Sequence, residues 1–501
     1  MTTSGRCESM AGIGVKLNRI FEKKSVFSNL VGFTYSTIAT VAPMVLVIAN
    51  IILMGWILGL NKAAYLTREV FFCTVLYIFI FSLLTASPFN AVLSKYMQDA
   101  IFEERYQDIL PCYYLGLMMN IVLSCLVGIP FCLWEHFVGE VSVFYVFTGF
   151  CGYISLVLVF YSMIYLSICK DYQKISFYFL LGMIVTFILS LILRFLFRWE
   201  VTISILFSLM VGFFLIAAME FATVKRYFVK NSSRYKPVLK YFGKWWKLVV
   251  SNFLYILGLY IHNFVFWTTD MRIVVVKSFV CNQPYDMATC VAMFTNISAT
   301  VIFIARIEMH FHEKYRAYSE AVIGGKRADI DNTKRRMFRA ISNELMSLVR
   351  IQFIISVVVY LLCIVLLPRY GLGGMVMRIY PCMAAGYFIL FLMYAAILFL
   401  YYYNDLTGAV LTTLSFCLVT FLGSVVATHL SEIWYGLGVL LGAFTGWTVA
   451  YARLRWVEKN LDRNTFCKWL LLKRGKGKMP SSVVYRKSDG TKKKRKRGLA
   501  G

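Results

Sequence analysis

The chain of 501 residues is strongly apolar and basic. Hydrophobic residues make up 59% of it and charged residues only 15%, whereas soluble domains average about 25% charged residues. The formal net charge is +27, and the 13 cysteines are scattered without a C-x-x-C pair. This composition excludes a soluble globular domain and argues against a disulfide framework, and it predicts an all-α protein that crosses a membrane many times.

Apolar runs of about 20 residues are long enough to cross a bilayer as helices. The sequence contains twelve such runs. In chain order, the predicted spans are 30–58, 70–92, 111–134, 142–168, 175–196, 201–222, 248–269, 287–305, 349–367, 377–402, 406–428 and 433–452.

The placement of lysine and arginine predicts the orientation of these spans. If both termini are cytosolic, 44 of the 52 basic residues fall in the inner segments. Cytosolic loops of membrane proteins collect positive charge, so this alternation supports twelve spans in the cytoplasmic (inner) membrane with both ends inside. The positive net charge therefore does not require a nucleic-acid partner.

The lengths of the inner segments divide the chain into two halves. The basic segment between spans six and seven separates six spans from six, and a second long inner segment, 306–348, follows span eight. The predicted organisation is a cytosolic N-terminus (1–29), a first six-helix lobe (30–222), a basic linker (223–247), a second six-helix lobe (248–453) and a basic cytosolic tail (454–501).

A polar island follows the second span of each half. The first, SKYMQDAIFEERYQDILP (94–111), has Leu93, Met97, Ala100 and Ile101 on one helical stripe, and the second, RIEMHFHEKYRAYSEAVIGGK, begins at Arg306. Equal positions predict two pseudo-symmetric lobes, as in transporters that work by alternating access. The alternative is that the islands are two solvated loop helices without a transport role.

Few polar side chains lie inside the predicted spans. His262 and Asn263 lie in span seven and Asn50 in span one, and we expect these three to line a transport pathway. An ionisable residue within a span is costly and points to function, although a histidine bonded between helices is the simpler alternative. Glu220 stands close to Lys225 and is predicted to lie at the membrane interface.

Motifs for catalysis are weak or absent. Asp329 and Asp331 form a D-x-D pair, but the surrounding loop of about 43 residues is smaller than a typical domain of 50–200 residues. The sequence has no G-x-x-x-x-G-K-[ST] motif for ATP hydrolysis. We therefore predict a protein that is not an enzyme and uses no cofactor or metal.

Several stretches together resemble the PelG family of Pel exopolysaccharide transporters. They are MAGIGVKL from Met10, a first span that contains Pro43, LSKYMQDAIFEERYQDILP, LGLYIHNFVFW and RIEMHFHEKYRAYSEAVIGG, and the likeness extends to about Arg455. The resemblance implies a twelve-span member of the multidrug/oligosaccharidyl-lipid/polysaccharide exporter superfamily. It also implies export of a partly acetylated, galactosamine-rich polymer with a cytosolic glycosyltransferase and other Pel membrane proteins as partners.

The expected function is export of this polymer while the partner enzyme extends it. Glu104, Arg105, Glu308 and Arg316, on the two islands, are the expected inner-face contacts with the glycosyltransferase. The alternative is an ion-coupled antiporter or flippase for lipid-linked sugars or small molecules, in which His262 would titrate. A third possibility is a scaffold that only organises a synthase complex.

Overall fold

The computed structural model of the protein describes most of the chain. The described residues are 43, 45–169, 171–302, 314, 317–318, 320–322, 326–366, 368 and 373–463. Contacts divide the chain between Leu454 and Arg455 into a large compact unit and a C-terminal one. A proline inside a helix produces a kink, so a bend is expected at Pro43 in the first span. The residues before Pro43 are outside the described part, and the structure does not test this bend.

The first half contains six helices that match the first six predicted spans, followed by a short helix in the linker. They are α1 (Val45–Ile57), α2 (Tyr65–Phe102), α3 (Ile109–Phe137), α4 (Val143–Ile168), α5 (Tyr172–Leu191), α6 (Val201–Tyr227) and α7 (Lys236–Lys244). A π-helical turn, Ile192–Leu196, extends α5 at its end.

The second half contains six more helices that match the remaining predicted spans, together with a β-hairpin. They are α8 (Trp246–Phe266), β1 (Ile273–Val275), β2 (Phe279–Cys281), α9 (Gln283–Ile302), α10 (Arg327–Leu366), α11 (Met375–Tyr402), α12 (Leu406–Ala427) and α13 (Leu437–Arg463). The strands pair antiparallel, with Val274 opposite Val280.

The prediction of an all-α membrane protein with about twelve crossings is confirmed. Ten helices in the described part of the chain are long and apolar enough to cross a membrane. The shorter α1, which is described only from Val45, and the less apolar α9 complete the set of twelve. The small β-hairpin between α8 and α9 is the one departure from helix among the described elements, and it was not predicted from the sequence.

The two halves repeat the same helix contacts. In the first half α2 packs against α3 and α4, and in the second half the corresponding α9 packs against α10 and α11. The third and fourth helices of each half also touch each other. Equal neighbours at equal positions are the expected arrangement of an internal repeat.

A short sequence match lies at the contact between the fifth and sixth helices of each half. TFILS (186–190) on α5 and TFLGS (420–424) on α12 have the same threonine, phenylalanine and serine positions. A methyl group added at Gly212 on α6 would overlap the hydroxyl of Thr186, and one added at Gly442 on α13 would overlap the hydroxyl of Thr420. Small residues thus let both helix pairs approach closely, as is common between helices in membranes.

An aspartate begins the fifth helix of each half and reaches the sixth. The side chain of Asp171 accepts a hydrogen bond from the first turn of α5 and another from Tyr227 at the end of α6. The side chain of Asp405 caps α12 and forms a two-pronged ion pair with Arg453 on α13, at 2.8 and 3.0 Å. Each aspartate therefore satisfies backbone N–H groups at a helix start and holds two helices together.

The polar islands differ in part from the prediction. Residues 94–102 continue α2 without a break; of the predicted stripe, Leu93, Met97 and Ala100 are fully buried and Ile101 is half-buried. In the second half α10 begins at Arg327, so the segment up to 348 is a helix continuous with span nine rather than a loop. Asp329 accepts a hydrogen bond from the backbone N–H of Lys326 at 3.1 Å, which assigns this half of the D-x-D pair to helix capping.

Candidate transport site

Helix α8 buries His262 and Asn263 next to the start of α9. The Nδ1 atom of His262 lies 2.9 Å from the hydroxyl of Tyr285, and the imidazole packs edge-on against the same ring. The Tyr285 ring in turn stacks on Phe266 with centroids 3.9 Å apart. These contacts fix the orientation of the imidazole inside the second half.

Asp286 is the acceptor at the centre of this region. Its carboxylate accepts hydrogen bonds from Asn263 Nδ2 at 2.7 Å and from Trp267 Nε1, which lies 3.1 Å from both oxygens. The backbone N–H of Asn282 donates to the second oxygen at 3.1 Å. Nearly buried carboxylates need such donors, because burial of an unpartnered charge is very costly.

Hydrogen-bonding capacity remains in this region. We call His262, Asn263, Trp267, Tyr285 and Asp286 the α8–α9 polar cluster. Among the described residues, His262 Nε2 and Asn263 Oδ1 have no hydrogen-bond partner, and neither has the hydroxyl of Tyr387 on α11, whose ring packs edge-on against His262. Buried polar atoms are normally paired, so the unpaired atoms of His262, of its neighbour Asn263 and of Tyr387 mark a candidate binding site.

The α8–α9 polar cluster touches the first half of the chain through Trp267. The Trp267 ring stacks on Tyr77 of α2 with centroids 5.0 Å apart. The Tyr77 hydroxyl donates to the carbonyl of Val280 in β2 at 2.5 Å and accepts from its N–H at 3.1 Å. The cluster therefore borders the contact between the two halves.

The other predicted pathway residue lies elsewhere. Asn50 on α1 is buried and donates to the carbonyl oxygen of Met183 on α5, at 3.2 Å. His262 and Asn263 bond residues of α9, and within the described residues no hydrogen bond joins Asn50 to either of them. The three side chains thus belong to two separate regions, one in each half.

Glu220, predicted to lie at the membrane interface near Lys225, is packed inside the helix bundle. It is fully buried, and neither carboxyl oxygen has a hydrogen-bond partner among the described residues. Lys225 is exposed on another face of α6. The two side chains do not face each other, because a separation of five residues does not bring them onto one face of a helix.

The predicted partner contacts are described for the first island only. Glu104 is exposed in a left-handed backbone conformation (φ 57°) at the turn after α2. Arg105 pairs with Glu103 at 2.7 Å and with Asp108 at 2.9 Å, and these hydrogen bonds outweigh partial burial and raise its pKa. Glu308 and Arg316 lie outside the described residues.

Sequence reasoning missed Asp286, although a signal was present. The predicted span eight began at 287, so this aspartate was left in the preceding loop. In the structure it stands in the first turn of α9, after Pro284, and proline is common at that point of a helix. Within the described residues, no group of three histidine, cysteine or acidic side chains could hold a metal ion.

The solved structures that resemble this chain are transporters. An inward-facing multidrug resistance MATE family transporter of the MOP superfamily superposes with a TM-score of 0.58 at 12% identity, over 85% of this chain and 96% of that one. An outward-facing form also gives 0.58, at 11% identity and the same coverage. The MATE transporter ClbM in complex with Rb+ gives 0.57 at 13% identity, over 86% and 96%. The chain therefore has the fold of a MATE-type, multi-pass membrane transporter.

The family comparison is more specific. Residues 10–466 match PelG, described as "Putative exopolysaccharide Exporter (EPS-E)". No curated protein matches the chain. Since the match covers most of the sequence, the chain belongs to the PelG family of exopolysaccharide exporters, as its motifs indicated.

Proposed function

We propose that the chain exports an N-acetylgalactosamine/galactosamine-type exopolysaccharide (Pel) outward across the cytoplasmic membrane and has no catalytic activity of its own. The family match over residues 10–466 is the observation that carries this proposal. In the proposed mechanism, the linker 223–247 joins the two lobes, 30–222 and 248–453. The lobes open alternately to the inner and the outer side of the membrane. The excess of basic residues in the inner segments supports cytosolic termini.

The contact between α2 and α8 offers groups suited to a sugar polymer. Asn252 Nδ2 on α8 donates to the carbonyl of Ser87 on α2 at 2.6 Å, and Asn90 Oδ1 on α2 has no partner among the described residues. Tyr255 on α8 stacks on Tyr394 of α11 with centroids 5.0 Å apart. Amides can bond sugar hydroxyls, and aromatic faces can cover the apolar side of the rings.

His262, Asn263 and Asn50 complete the proposed pathway lining. In the second lobe, the unpaired His262 Nε2 provides a donor or an acceptor, according to its tautomer, and Asn263 Oδ1 provides an acceptor. Asn50 would contribute from the first lobe after its bond to Met183 is exchanged. These three side chains are polar but carry little charge. Such a lining suits a large hydroxylated substrate that must bind weakly enough to move through the pathway.

A cytosolic glycosyltransferase is the proposed partner, together with other Pel membrane proteins. Glu104 and Arg105 lie on the exposed turn after α2, and Glu308 and Arg316 belong to the corresponding island of the second lobe. Charged groups at the rim of an interface mainly set association rate and specificity. Exchange of Glu104 for lysine should therefore slow assembly with the enzyme more strongly at low salt than at high salt.

Transport of a labelled galactosamine oligomer into vesicles that contain the purified chain tests the proposal. We expect uptake above that of protein-free vesicles, and less uptake with Asn90→Leu or Asn263→Leu. Leu126→Val on α3 is the matched control, because Leu126 is 68% exposed on the outer surface of the helix bundle. Absence of uptake by the folded wild-type chain would reject export by the chain alone and favour the scaffold.

A second candidate function is ion-coupled antiport of lipid-linked sugars or small molecules. The observation that favours it is Asp286, a nearly buried acid that accepts a hydrogen bond from Asn263, the residue after His262. A proton or sodium gradient across the vesicles should then accelerate uptake, and Asp286→Asn should remove the acceleration. If His262→Ala leaves gradient-driven uptake unchanged, coupling does not proceed through that imidazole.

A further inference from the structure

Two cysteines from different lobes meet at the β-hairpin. The sulfur of Cys73 on α2 lies 2.8 Å from the sulfur of Cys281 at the end of β2, closer than two unbonded sulfurs normally approach. Cys73 is 1% exposed and Cys281 4% exposed. The residues are 208 positions apart in the sequence, so the contact is made by tertiary structure alone.

The β-hairpin is held against the first lobe by several further contacts. Tyr77 on α2 bonds both backbone groups of Val280, and Ser278 donates to the carboxylate of Glu135 at the end of α3. Lys277 forms an ion pair with Glu140 in the loop after α3. The hairpin thus connects the lobes at one end of the helix bundle, and its separation from both α2 and the end of α3 would break all these contacts together.

The turn of the hairpin has a strained backbone. Val276 has a φ of 50° and Lys277 a φ of 63°, a region that glycine and asparagine adopt easily and β-branched residues avoid. Such strain persists only where surrounding contacts hold it, and it is concentrated at functional and switching segments. The contacts with the first lobe therefore help to hold Val276 in a backbone conformation that it would otherwise avoid.

We propose that Cys73 and Cys281 form a reversible disulfide that locks the hairpin end of the two lobes closed. The thiolate of one cysteine attacks a sulfur of an oxidised, disulfide-bearing thiol oxidoreductase, which gives a mixed disulfide. The second thiolate then attacks the protein sulfur of that mixed disulfide. The enzyme leaves as a dithiol, having taken up two electrons, and the two cysteines have lost their protons.

The burial of the pair gives the order of events. A buried thiol cannot reach an enzyme, so the first attack takes place while the hairpin is away from α2 and the sulfurs are exposed. Return of the hairpin brings the sulfurs together and completes the bond, which is then shielded from reductants. The orientation of the proposed function puts the hairpin outside, where oxidising enzymes maintain disulfides.

The cross-link is tested with the full-length chain in vesicles, with a protease site inserted after Ser233 in the exposed linker. After treatment with 2,2′-dithiodipyridine and cleavage, we expect the fragments to migrate together without reductant and to separate with dithiothreitol. Cys73→Ser and Cys281→Ser should each give separate fragments under both conditions. Cys290→Ser, on the following helix, is the matched control and should behave as the wild type.

The lock is tested by amide hydrogen exchange on the same samples. Oxidation should slow exchange in 273–281 by at least about tenfold, because a cross-link suppresses the local opening through which these amides exchange. Exchange in α5 should not change. Separate fragments from the oxidised wild type, joined fragments from either serine variant, or unchanged exchange in the joined protein would each overturn the proposal. These measurements use no sugar, so failure of polymer export does not affect them.

Discussion

The carboxylate of Asp286 provides the sharpest test of the α8–α9 polar cluster, through the change Asp286→Asn. The carboxylate accepts from Asn263, Trp267 and the backbone of Asn282, and its two oxygens are both used. An amide has one acceptor oxygen, so its NH2 group must face Asn263 or Asn282, both of which are donors. The variant loses at least one charge-assisted hydrogen bond. We therefore expect its free energy of unfolding to be lower by about 1.5–3 kcal/mol.

Chemical unfolding in mixed micelles measures the effect of Asp286→Asn. Asp270→Asn is the control, because Asp270 is an exposed acid in the loop after α8, and we expect it to leave the free energy of unfolding unchanged. Equal stability of Asp286→Asn and the wild type would refute the reasoning. Equal stability would mean that the Asp286 carboxyl group of the wild type already accepts fewer hydrogen bonds than the geometry indicates, as a protonated acid would.

Two further predictions concern the contact between the fifth and sixth helices. Gly212→Ala would place a methyl group on the hydroxyl of Thr186, and we expect it to cost about 1–3 kcal/mol in unfolding experiments, partly regained with Thr186→Ala. This reasoning would be contradicted if Gly212→Ala lowered the free energy of unfolding equally with threonine and with alanine at position 186. For Asp171, burial raises the pKa, but hydrogen bonds from Lys174 and Tyr227 outweigh it and hold the pKa below its usual value. Asp171→Asn should therefore lower stability at neutral pH, and the difference from wild type should disappear as pH falls through that lowered pKa; a difference independent of pH would argue against the charge.

Hydropathy and charge predicted the membrane spans well, because both reflect the solvent around each segment. The spans predicted at 201–222 and 406–428 differ from α6 and α12 by a few residues at their ends. The helical extension of α10 before residue 349 was missed, because hydropathy detects only the part of a helix that lies in lipid. Its sequence is charged, and only contacts or capping show that the helix continues.

The composition of the α8–α9 polar cluster was predictable only in part. His262 and Asn263 were identified because polar residues are rare in an apolar run. Asp286 was missed because it lies at the start of a helix, where acidic residues are common and do not indicate a functional site. The hydrogen-bond donors to Asp286 come from α8 and from the backbone before α9. Such tertiary partners cannot be inferred from residue spacing in the sequence.

Trp267 connects the cluster to the contact between the two halves of the chain, and its two interactions can be separated. Trp267→Phe removes the donor to Asp286 but keeps a ring to stack on Tyr77, whereas Trp267→Leu removes both interactions. If the stacked ring holds the hairpin side of α2 in place, hydrogen exchange in 273–281 should rise with leucine and stay near the wild-type rate with phenylalanine. Both variants should lose the stability of the bond to Asp286, about 1.5–3 kcal/mol. Equal exchange rates in the two variants would show that the indole acts on the hairpin through Asp286 and not through its ring.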